Sequence, residues 1–84
     1  MRIRFSDVDG NIYNLYPARV VLEYDPYKGK HYITVTDPYF LGGEPEVYTI
    51  DHSVYCFLRD NLPGCIGVSK TRWLEQVEYF YPRP

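Results

Sequence analysis

Four side chains in this chain are of the kinds that do nucleophilic or metal chemistry: His31, His52, Cys56 and Cys65. A thiol becomes a nucleophile when an imidazole takes its proton, so Cys65 beside His52 is the pairing to look for. His52 lies in the first turn of a predicted helix and Cys65 just beyond its end, but no spacing rule brings them together. An imidazolium at a helix N-terminus also opposes the positive end of the dipole. No Cys-x-x-Cys or His-x-x-x-His pair is present to offer two metal ligands from one turn. Asp7-x-Asp9-Gly10 has the middle of an EF-hand calcium loop. Extending the register puts Phe5 at the first ligand position and Tyr16 where the bidentate glutamate belongs, so the match fails. Asp25, Asp37, Asp51 and Asp60 fall at turns or caps, where a carboxylate bonds the local backbone. Gly42-Gly43 precedes a strand and not a helix start, which removes a phosphate loop. The expectation is therefore no catalytic residue, no metal ligand set and no cofactor.

Contact chemistry is better supplied. The chain has ten tyrosines in 84 residues, an excess that suits either a small core reaching to its surface or a face built for contact. Tyr39, Phe40 and Leu41 sit in a loop closed by two glycines and a proline. Tyr27 lies on a separate turn and Tyr32 on an outward strand face. These five are the candidate protein-binding residues, because aromatic side chains contribute large contact area with few rotors to freeze. Phe40 and Leu41 could equally plug the open end of the sheet as core.

These residues need a frame. The stretch Pro45 to Gly64 reads as a strand running into the one clear helix, Asp51 to Leu62, which Pro63-Gly64 stops. Asp51 is placed to cap it with its carboxylate, and Ile50 with Tyr55 has the spacing of a hydrophobic staple. Val54, Phe57, Leu58 and Leu62 are expected on its buried face. Arg2 to Phe5 and Ile12 to Tyr16 alternate as strands around an Asp9-Gly10 turn. Arg19 to Tyr24 and His31 to Thr36 do so around Asp25 to Lys30, with Val20, Leu22, Tyr24, Ile33 and Val35 inward. Asp37-Pro38-Tyr39 repeats the Asp25-Pro26-Tyr27 triplet and is expected to make a similar turn. Cys65 to Val68 is a short extended segment. From Ser69 to Tyr81 helical and strand spacing compete, and the aromatic, β-branched end predicts one long strand. The fold class is α+β: a small antiparallel sheet of five to six strands with one helix on one face, forming a single domain over 1–84.

Nine basic and eleven acidic residues give a net charge of −2. Lys28, Lys30 and His31 make one short basic cluster and Arg2 with Arg4 another. Both read as solvated strand faces and not as a nucleic-acid footprint. Strand alternation begins at once, with no targeting leader and no apolar run as long as a membrane span, so a cytoplasmic protein with no membrane partner is expected. That compartment disfavours a Cys56–Cys65 bridge. An acidic, compact, strand-rich chain of this size is similar in general character to the small inhibitors encoded by phages and mobile elements, anti-CRISPR proteins among them. The likeness is of type and assigns no residues. It implies a non-catalytic protein-binding module that blocks a larger protein or complex sterically through aromatic loops, in the host cytoplasm if phage-encoded. Two alternatives stay open: a single-stranded nucleic-acid binder using surface tyrosines, and a homodimeric accessory or structural subunit joined at a sheet edge.

Overall fold

The computed structural model describes residues 2–37, 43–70 and 75–80. Among them, apolar side chains recurring at every second position make seven strands, and one segment of helical period makes the helix. In chain order these are β1 (Ile3–Ser6), β2 (Ile12–Leu15), β3 (Arg19–Asp25), β4 (Lys30–Thr36), β5 (Glu46–Ile50), α1 (His52–Asn61), β6 (Cys65–Lys70) and β7 (Glu75–Phe80). β3 to β7 form one antiparallel sheet in the order β5-β4-β3-β7-β6, and β1 with β2 forms a second, two-stranded sheet. The α+β expectation holds, with seven strands in two sheets where five to six in one were expected.

Register sets which side chains meet. Leu22 lies opposite Ile33 on one side and Val77 on the other, and Val20 lies between Val35 and Tyr79. These six share one sheet face and are all buried. α1 and the β1–β2 hairpin cover that face. Tyr55, Leu58 and Leu62 come from the helix and Ile3 and Phe5 from the hairpin, and all five join the same core cluster. A single sheet face carrying this much apolar surface requires such a cover. The rings of Phe5, Tyr13 and Tyr48 pack together, with Tyr13 and Tyr48 centroids 4.3 Å apart, and so tie the small sheet to β5. The hairpin also donates the Val8 amide to the Thr49 carbonyl at 3.0 Å, using a group that edge strand β5 would otherwise expose.

The turns follow their residue chemistry closely, with some corrections. β1 and β2 are joined by five residues, not by a tight Asp9-Gly10 pair. The Asp7 carboxylate accepts from the Asp9 and Asn11 amides, the Asn11 side chain and the Tyr13 hydroxyl. Gly10 supplies the left-handed conformation, with φ of 85°. The Asp25 carboxylate accepts from the Tyr27 and Lys28 amides. Asp37 is completely buried, and Pro38 and Tyr39, where a similar turn was expected, lie outside the described residues.

At the start of α1, Asp51 is the N-cap residue in extended backbone, but its carboxylate makes no capping bond. Its carbonyl accepts the first helical bond, from the Tyr55 amide. Pro63-Gly64 ends the helix as expected, with the Leu62 amide bonding the Leu58 carbonyl at 2.9 Å. Beyond it, the single long strand expected over Ser69 to Tyr81 is instead β6 and β7, paired antiparallel with a register shift at Cys65 to Gly67. Residues 71–74, within the stretch where helical and strand spacing compete, lie outside the described residues. Both cysteines are free.

Candidate functional site

The helix stripe decides where the exposed apolar surface falls. Ile50 and Tyr55 are each buried to 2% exposure, consistent with the staple spacing. With Tyr55 at the centre of the buried face, Phe57 two positions on is rotated by about 200° and leaves the stripe. Phe57 is 62% exposed, which corrects its expected place in the core. Parity does the same in the hairpin. Tyr13 and Leu15 pack on the core, so Ile12 points outward and is 64% exposed. β1 alternates likewise: Ile3 and Phe5 are buried, while Arg4 stays exposed.

Phe57 and the outer hairpin face border a shallow, open groove. One part, about 430 Å³, is lined by Arg4, Phe5, Ser6, Ile12 and Phe57. The adjoining part, about 150 Å³, is walled by Arg2, Arg4, Phe57, Leu58 and Leu62, with Ile3 and Asn61 completing it. Among the described residues, the groove thus has an apolar floor, two large exposed apolar side chains, and arginine as its only ionisable residue type. Arg2 and Arg4, read from sequence as a solvated strand face, are exposed as that reading expects and also line this groove. The Asn61 side chain is tied to the Phe57 carbonyl at 2.8 Å, which holds the last turn of α1 beside the groove.

The titratable residues converge elsewhere, where α1 begins over β4. His31 is buried, stacks on Tyr24 at 4.6 Å between centroids and contacts the Tyr55 ring at 4.8 Å. Its Nε2 lies 3.1 Å from His52 Nδ1, so one imidazole donates and the other accepts. Burial, reinforced by the nearby His52, pushes the His31 pKa below its ordinary value. Cys56, one turn after His52, brings its Sγ to 3.4 Å from Nε2 and 4.0 Å from Nδ1 of that ring. A sulfur on the Nε2 lone-pair axis would be much farther from the nitrogen across the ring. The two similar distances put it off that axis, so the thiol has no aligned path for proton transfer. The Cys65–His52 pair considered from sequence does not form. Cys65 bonds the Gly67 carbonyl at 3.6 Å on β6, while His52 joins β4, three strands across the sheet. His52-x-x-x-Cys56 was a legible one-turn spacing, and only the tertiary contact adds His31. No group of three or more His, Cys, Asp or Glu among the described residues is arranged to hold a metal ion.

Several tyrosines have architectural roles. The Tyr55 hydroxyl donates to Glu75 Oε1 at 3.2 Å and the Tyr79 hydroxyl to the Arg59 carbonyl at 3.1 Å, fastening α1 to β7. Of the five residues expected to bind a partner, Tyr27 stands 70% exposed at the β3–β4 turn. Tyr32 is half-buried on the sheet face away from α1, opposite Glu23 and Thr49. Tyr39, Phe40 and Leu41 lie outside the described residues.

The fold and groove define a two-layer α+β domain whose most developed feature is a cationic, apolar-floored surface groove. No family model, curated protein or solved structure matches the chain. No helix among the described residues is long and apolar enough to cross a membrane.

Proposed function

We propose that this chain is a small protein-binding domain without catalytic chemistry, which docks on a larger protein or complex through the groove between α1 and the β1–β2 hairpin. The observation that carries the reading is Phe57, a large aromatic side chain left mostly exposed beside an equally exposed Ile12. Exposed aromatic and aliphatic side chains flanking a concave surface are the usual anchors of an interface, because they gain most from leaving water. A domain this small would act by covering its partner's surface. That mode is the one used by steric inhibitors from phages and mobile elements, including anti-CRISPR proteins, and it would place the domain in a host cytoplasm. Tyr27, far out on its turn, is a second contact candidate.

Single-stranded nucleic acid is the weaker reading, since two arginines offer little phosphate neutralisation and the overall charge is negative. The test is retention of a partner from a host lysate by the wild-type domain and by Phe57→Ala with Ile12→Ser. The double variant should lose the partner and keep its melting temperature, because both side chains are exposed. Retention by the double variant with loss in Tyr27→Ala would move the interface to the β3–β4 turn.

A further inference from the structure

We infer that the groove takes an acidic, apolar-bearing segment of another protein, an inference that rests on the docking reading above. Among the described residues that line the groove, Arg2 and Arg4 are the only ionisable ones, and they stand beside Ile3, Leu58, Leu62 and Phe57. Both arginines are exposed, and neither is among the ion pairs formed by the described residues, which are Arg19–Glu78 and Arg59–Asp60. A partner side chain entering between Ile12 and Phe57 would cover apolar surface. Carboxylates flanking it would meet the two guanidinium groups, which suit bidentate pairing with carboxylate.

Charge also argues against the other occupants. A second copy related by a two-fold axis through the groove would set Arg2 and Arg4 against the same residues, a like-charge contact. A nucleic-acid strand would need a row of cations and flat stacking surfaces. The groove offers two cations, one exposed ring and an apolar floor in which the Phe5 ring is buried.

Selection of a random-peptide display library on the intact domain, counter-selected against Phe57→Ala, tests the inference. The expected pool carries Asp or Glu on either side of a large apolar residue. Its affinity should fall at least about tenfold with Arg4→Glu or with Arg2→Glu and Arg4→Glu together. Replacing the peptide's Glu by Gln should weaken binding in the same direction. A basic or uncharged pool that still depends on Phe57 overturns the acidic occupant and leaves the docking groove standing. A pool indifferent to Phe57→Ala, or the absence of any pool, overturns both. Binding of a single-stranded oligonucleotide lost with Arg4→Glu, or a dimer in sedimentation lost with Phe57→Ala, replaces the acidic partner with nucleic acid or a second copy. The substituted side chains are exposed, and an unchanged melting temperature confirms that each variant is folded.

Discussion

The Asp7 carboxylate gathers four donors from its own loop and from Tyr13, and this shapes its acid behaviour. Desolvation pushes its pKa up, but the hydrogen bonds from Tyr13, Asn11 and Asp9 outweigh that effect and hold it below the ordinary carboxylate value. A depressed pKa means that the unfolded chain takes the proton first as pH falls. The stabilisation is therefore present above about pH 4 and is lost as pH drops through the folded-state value. Asp7→Asn should flatten this part of the acid limb, read as a smaller change of urea midpoint with pH than in the wild type. At Tyr55, burial comes first and the neighbouring Glu75 second in pushing the phenol up to about 12. Its hydroxyl bond to Glu75 should make Tyr55→Phe cost about 1 kcal/mol in chemical denaturation. A change within error would mean that water replaces the bond without loss.

α1 is held at both ends by different physics. Its C-terminal half is anchored by Leu58 and Leu62 in the core and by the Tyr79 hydroxyl on the Arg59 carbonyl. Leu58→Ala should cost about 2–5 kcal/mol, because the rigid sheet beneath cannot close the cavity, and denaturant titration would measure it. The N-terminal half instead rests on the His52–His31 contact, on Tyr55, and on the Tyr24 ring stacked against His31. The groups around His31 are Tyr24 from β3, Ile50 from β5, and His52 and Tyr55 from α1, with Cys56 reaching His52 and Glu75 of β7 reaching Tyr55. Since the His31 pKa is lowered on folding, its neutral form favours the folded state. That contribution is complete above about pH 6.5 and is lost as pH falls through the folded-state value. Amide protection factors in the first turns of α1, corrected for the slower intrinsic exchange at lower pH, should fall over that range more than those in β3. His31→Phe should remove the difference.

For the whole molecule, four tyrosines with raised pKa values predict the alkaline limit. Tyr13, Tyr48, Tyr55 and Tyr79 all shift upward, Tyr13 mainly through its bond to Asp7 and the others mainly through burial. The unfolded chain loses these protons first, so stability is intact below about pH 10 and falls as pH rises through the folded-state values. The phenolate absorbance of these four rings, isolated as the part that Tyr→Phe substitution at each position removes, should therefore rise together with loss of tertiary signal. Ionisation of that part ahead of unfolding would show that these rings are less enclosed than their packing indicates. The Arg19–Glu78 pair on the outer sheet face is about half exposed, and its removal should change stability by no more than about 1 kcal/mol.

The elements were legible because their causes are local. Side-chain alternation marks β3 and β4, and Pro63-Gly64 cannot continue a helix. The carboxylates of Asp7 and Asp25 reach only their own turns, whatever the rest of the chain does. The groove was not legible, though its parts were. Tyr55 as the staple residue already rotates Phe57 off the buried stripe, and the parity of Tyr13 and Leu15 already turns Ile12 outward. That these two side chains line one groove with Arg4 depends on α1 and the β1–β2 hairpin lying side by side on one sheet. Contacts between distant segments set that placement, as they set the burial of Asp37, the division into two sheets and the meeting of His31 with His52. A sequence carries such contacts only as many weak apolar preferences, and these are satisfied together when the core closes.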